Sequence, residues 1–197
     1  MNKWKAVAII AVLLIVLELL AVLISWLLSA TMTEGIHSML SSEGIRWFLG
    51  SFVNFIQSPL LVWIILLAIA YGTIKDCNII NDISNKAVHR QRLARNLCLL
   101  LFIFMLTALL LLAVLPHAVL LSATGSLWPS PFSHALIPVM ALILISVSST
   151  YGMLTHRYTS LSSIIQAMST GIATAAPLLI IYILARQLYT SLQFIFG

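Results

Sequence analysis

The sequence predicts an all-α, polytopic membrane protein of about five transmembrane helices, with its N-terminus inside and its C-terminus outside. Three observations predict it. Hydrophobic residues make up 61% of the 197-residue chain, against roughly 45–50% in soluble domains. Charged residues are 8%, where about 25% is usual, so ten Lys and Arg with five Asp and Glu cannot cover a water-facing surface. The apolar residues also fall in runs close to the roughly 20 needed to cross the hydrocarbon core of a bilayer. The solvent for most of this chain is lipid.

The first run, 6–28, follows Lys3 and Lys5. A signal peptide has a similar start, but its apolar region is only about 7–15 residues, so this run is read as a retained span. The second span is placed at 52–71, the third at 97–115, the fourth at 135–153 and the fifth at 164–184. The polar intervals 29–47 and 73–96 are too short to bury cores of their own, so residues 1–197 are expected to form a single membrane domain.

Orientation follows from the basic residues, because short loops rich in Lys and Arg stay cytoplasmic. With the N-terminus inside, Lys3, Lys5, Lys75, Lys86, Arg90, Arg92, Arg95 and Arg157 all lie inside, and only Arg46 and Arg186 lie outside. Five of the inner group share the 73–96 interval. That interval has neither the aromatic nor the Gly-rich company that nucleic acid would require, so its charge is read as membrane-flanking. Cys77 and Cys98 lie in or beside it. A reducing cytoplasm argues against a disulfide, and two Cys with His89 fall short of a zinc site.

The second and fourth spans share a pattern. Each is entered past a proline, Pro59 or Pro131, and each leaves at Tyr-Gly, Tyr71-Gly72 or Tyr151-Gly152. Ordinary helix ends and an old duplication both account for this. In either reading the glycine serves as a helix exit.

Around the fourth span the chain reads Thr124, Gly125, Ser126, Leu127, Trp128, Pro129, Ser130, Pro131, Phe132, with Pro138, Tyr151 and Gly152 following. Met168, Ser169 and Thr170, then Arg186-Gln187, continue the pattern, and Ser42 to Trp47 precede it. This series resembles the AbgT family of p-aminobenzoyl-glutamate transporters. The resemblance implies a bacterial inner-membrane, multi-pass protein connected with transport. Family members are much longer chains in which two re-entrant hairpins carry the substrate and ion residues. No position here matches those hairpins, so the resemblance implies a truncated form: the scaffold or dimerising part, working as a homodimer or beside a second membrane chain. No substrate-binding residue is carried over.

Few side chains offer chemistry. Glu18 is the one formal charge inside a span, and an intramembrane carboxylate is a functional candidate by default. Proton coupling is one reading; a hydrogen-bonded glutamate at a helix contact is the plainer one. Arg186, just past the fifth span, either reaches toward Glu18 or snorkels to the outer interface. Gly171 and Pro177 interrupt the fifth span, as a tolerated kink or as half of a broken-helix site. The five histidines do not pair at helical spacing with a carboxylate, so no metal is expected, nor any other cofactor. Serines such as Ser146, Ser148, Ser149, Ser162, Ser163 and Ser169 lack an activating base and read as small residues at helix contacts. Ser169, Thr170 and Gly171 with Ala173, Ala175 and Ala176 form a predicted packing face of the fifth span. No enzyme is expected.

Overall fold

The computed structural model describes residues 3–31, 36–79, 89–114 and 131–197. Among them there are six α-helices and no strand: α1 (Lys3–Ala30), α2 (Ser42–Ile56), α3 (Pro59–Cys77), α4 (His89–Val114), α5 (Pro131–Leu154) and α6 (Leu161–Phe196). All but α2 are long and apolar enough to cross a membrane, which gives the five spans expected.

The ends of these helices follow local rules. Ser41 caps α2, its hydroxyl accepting from the Gly44 N–H at 3.0 Å, with Glu43 in the first turn where a helix dipole favours an acid. Pro59 opens α3, at the position where its missing N–H costs nothing. Asn78 ends α3 in the left-handed region, φ 58°. His156 ends α5 in the same way, φ 58°, and Arg157 N–H returns to the Gly152 carbonyl at 2.9 Å while His156 N–H reaches Met153 O at 3.0 Å. That pair of bonds is the Schellman arrangement.

Several boundaries differ from the sequence reading, and α4 for one begins at His89 rather than at 97. The second span begins at Pro59, because Gln57 and Ser58 separate α3 from α2, and residues 52–56 belong to α2. Of the Tyr-Gly pairs, Tyr71-Gly72 is not an exit, since α3 continues to Cys77, whereas Tyr151-Gly152 lies in the last turn of α5, which ends at Leu154. The fifth helix does not stop at Leu184 but runs unbroken through Gly171 and Pro177 to Phe196. Its 36 residues give it a length of roughly 54 Å at 1.5 Å per residue.

Contacts divide the chain into two units. In the unit formed by residues 1–61 and 176–197, α1, α2 and the end of α6 bury Ala21, Met39 and Ile195, flanked by Trp47, Phe48 and Phe194. Trp47 lies between two rings, stacked on Phe194 with centroids 4.2 Å apart and tilted against Phe55 at 4.4 Å. Fully buried Ser25 ties the stretch before α2 to α1 by accepting from Met39 N–H at 3.2 Å. In the unit of residues 62–175, the core gathers Cys77, Ala94, Cys98, Tyr151, Tyr158, Ile164 and Ala167. Both cysteines are free thiols.

Candidate functional site

Within the second unit α3 and α6 approach at backbone level. Ala68 and Gly72 are one turn apart on α3, and Ala167 and Gly171 are one turn apart on α6; all four are buried. A Cβ added at Gly72 would lie 2.7 Å from Gly171 Cα and would run into the Ala167 carbonyl. A Cβ added at Gly171 would lie 2.8 Å from Gly72 Cα and would run into the Ala68 carbonyl. The two backbones therefore touch, and only glycine fits at either position. Small residues four apart are the usual device for such close crossings in membranes.

This crossing corrects two readings. Gly72 and Gly171 act as contact residues rather than as an exit and a break. The predicted packing face of α6 also shifts, since Ser169, Thr170 and Ala173 are exposed while Ile164, Ala167 and Gly171 are buried. Ser169 and Thr170 spend their hydroxyls on Ile165 O (2.9 Å) and Ala167 O (2.7 Å) of their own helix. Met168 packs partly buried against the core. The spacing Ala-x3-Gly on both helices was the signal available in the sequence.

Polar side chains support the crossing. Ser148 of α5 donates to Thr73 Oγ1 at 2.8 Å, and Tyr158 donates to the Thr73 carbonyl at 3.2 Å. Burial, and then the nearby Asp76 carboxylate, hold the Tyr158 hydroxyl well above its ordinary pKa. Gly152 lies against the Tyr158 ring, which a Cβ there would strike. Tyr151, from the same family-like pair, is 1% exposed in the core, whereas its counterpart Tyr71 is 50% exposed beneath the Lys75 ammonium. Beside the crossing a cleft of about 360 Å³ is lined by Tyr71, Gly72, Lys75, Asp76, Thr170 and Thr174.

The other unit holds the charged pair singled out in the sequence, but does not bring it together. Glu18 Oε1 accepts from Ser191 Oγ at 2.5 Å, and Ser191 Oγ in turn accepts from Gln187 Nε2 at 3.3 Å. Arg186 turns elsewhere: its Nε donates to Phe55 O at 3.0 Å, and its guanidinium lies over the Tyr189 ring, 5.3 Å from the centroid. Tyr182 reaches Ile56 O at 3.4 Å and shares a short hydrogen bond with Ser58. These α6 side chains thus serve the last carbonyls of α2, which a helix leaves without internal donors. A second cleft, about 470 Å³, is lined by His37, Glu43, Trp47, Phe55, Gln193 and Phe194.

Of the motif that carried the resemblance, Thr124, Gly125, Ser126, Pro129 and Ser130 lie outside the described residues, and Pro131 and Phe132 open α5. Among the described residues no three His, Cys, Asp or Glu side chains gather as metal ligands. Comparison with curated proteins and with solved structures found no match. The sequence matches the AbgT putative transporter family over residues 75–194, from the end of α3 through all of α4 and α5 and nearly all of α6. That stretch is more than half of the chain and includes the core around Tyr151, Tyr158 and Ala167: this multi-pass membrane protein belongs to the AbgT transporter family.

Proposed function

We propose that this chain serves AbgT-type transport as a structural element, a fixed scaffold or dimerising part of a membrane assembly in a bacterial inner membrane, with its N-terminus inside and C-terminus outside. The observation that carries this reading is the backbone-level crossing of α3 and α6 at Gly72 and Gly171. Transport sites near the midplane are usually built from discontinuous helices, whose unwound backbone contacts the cargo. Here α6 is continuous through both of its breaker residues, and its Ala167 and Gly171 are used for contact with α3. A helix locked in this way suits the part of a transporter against which another part moves. The partner is a second copy of the chain or another membrane chain that supplies the moving elements.

A second reading, an autonomous transporter of p-aminobenzoyl-glutamate-like or other aromatic anions, is favoured by one feature. The cleft beside the crossing offers the Lys75 ammonium, the Tyr71 ring and the hydroxyl-bearing Thr170 and Thr174. Gentle extraction from the native membrane, followed by weighing the particle and identifying its chains, separates the two. A second membrane chain in fixed ratio is the scaffold outcome. A homo-oligomer that moves labelled p-aminobenzoyl-glutamate into proteoliposomes, and loses that flux in Lys75→Gln, overturns the scaffold reading.

A further inference from the structure

The carboxylate of Glu18 is only half served by the protein. Its Oε1 has the Ser191 hydroxyl, while Oε2 is buried and accepts from no donor. Gln187, which is 8% exposed, repeats the situation: its Nε2 donates to Ser191, and its Oε1 is buried without a donor. Two surplus acceptors therefore flank one fully buried hydroxyl.

Charge adds to the mismatch. Neither Ser191 nor Gln187 can balance a carboxylate. Arg186, the cation on the same stretch of α6, is committed to Phe55 O and Tyr189. The other ionisable side chains on the elements packed around Glu18 are Lys5 on α1, His37 before α2, Glu43 and Arg46 on α2, and Tyr182 and Tyr189 on α6. Among the described residues none of them makes a hydrogen bond or ion pair with Glu18, whose partner is Ser191. A carboxyl group inside a span with one oxygen buried and unserved is costly in an apolar setting, and a bound positive charge at that oxygen relieves the defect.

The donor set defines the ligand. It consists of one carboxylate, one amide carbonyl and one hydroxyl, all oxygen, with no thiolate or imidazole. Transition metals prefer softer ligands, and divalent cations gather several carboxylates or many oxygens. From the geometry we infer that Glu18, Gln187 and Ser191 form a binding site for one monovalent cation, a proton or a sodium ion, held at Glu18 Oε2. A proton turns Oε2 into a donor; a sodium ion would take Oε2 as a ligand. Both supply the same single positive charge. This inference stands whether the chain is a scaffold or a transporter.

The test uses the full chain in lipid nanodiscs and reads the thermal unfolding midpoint. In one arm sodium replaces choline at constant ionic strength and constant pH. In the other, pH is lowered from mildly alkaline to mildly acidic without sodium. A ligand bound only by the folded state raises the midpoint by mass action, with equal increments for each tenfold rise above its dissociation constant. The wild-type midpoint is expected to rise in at least one arm, and the arm identifies the ion. Glu18→Gln removes the charge and brings its own N–H donors, so its midpoint should be flat in that arm. Gln187→Met retains the carboxylate and should need a higher cation concentration for the same rise. A wild-type midpoint insensitive to both cations overturns the site, as does a response that Glu18→Gln shares. Should Glu18→Gln fail to fold, a Gln187→Met response identical to wild type overturns it.

Discussion

At the scale of single residues, three glycines in apolar helices have opposite roles, and hydropathy cannot tell them apart. Gly72 and Gly171 face backbone, so Gly72→Ala or Gly171→Ala forces α3 and α6 apart; each is expected to cost about 1–3 kcal/mol, the usual range for overpacking. Gly50, on the exposed side of α2, has nothing within 4 Å of an added Cβ. Gly50→Ala is therefore expected to stabilise by about 0.5–1 kcal/mol, through the unfolded chain and helix propensity. Denaturant midpoints of the three variants check both signs together. Tyr158 gives a pH test. Its folded-state pKa is raised above the ordinary value of 10.0, by burial first and then by Asp76. In that situation the unfolded chain loses the proton first, so this residue's contribution is complete below about pH 10 and is lost as pH rises further. Tyr158→Phe should lose about 1 kcal/mol at neutral pH, with the bond to Thr73 O, and show a shallower alkaline decline than wild type. Alkaline unfolding curves of the pair measure this. In the sequence the small residues at 68, 72, 167 and 171 stood in plain view. Yet a glycine near a helix end also reads as a cap, and only the partner helix decides between the two.

At the scale of elements, the long spans were legible because lipid demands about 20 apolar residues and little else. α2 was not. Its 15 residues carry Glu43, Arg46 and Asn54, and its last turn runs straight into the apolar text of α3, so the break at Gln57-Ser58 leaves almost no compositional trace. The end of α6 was hidden for the opposite reason. Arg186, Gln187, Thr190 and Ser191 look like a membrane exit, but Arg186 serves α2, Ser191 serves Glu18, and Gln187 and Thr190 bond within α6 itself. The two omissions are one feature, since α6 continues in order to cap α2. A cation at a helix C-terminus also meets the negative end of the dipole. Arg186→Met, which keeps the apolar stem and removes the donor, is expected to cost about 1–3 kcal/mol by leaving the Phe55 carbonyl unserved. Hydrogen exchange locates the effect: protection should fall in the last turn of α2 and stay unchanged around the Gly72 crossing. Uniform loss of protection across both regions would mean that Arg186 supports more than this cap.

At the scale of the whole molecule, the start of α4 shows a global requirement overriding a local one. Its sequence opens His89-Arg90-Gln91-Arg92-Leu93-Ala94-Arg95, with no acidic residue in the first turn. Helix dipoles favour the reverse, acids at the N-terminus and bases at the C-terminus, by about 0.3–1 kcal/mol per charge. An isolated helix would gain from exchanging them. Insertion into a membrane supplies the competing reason, because basic residues within reach of a span hold that end on the cytoplasmic side. In the orientation proposed above, Arg90, Arg92 and Arg95 would be its determinants, with Lys75 and Lys86 on the same inner side. Replacing all three arginines with glutamine should leave α4 as helical as before, or slightly more so. It should nevertheless split the population between orientations, where the wild-type chain is expected to insert one way. Reporter fusions at the N-terminus and within 80–88, each active on one side of the membrane only, read the ratio directly. A triple variant that still inserts in a single orientation would shift the determinant to Lys3 and Lys5 ahead of the first span. The charge at the start of α4 would then need an explanation within the folded unit.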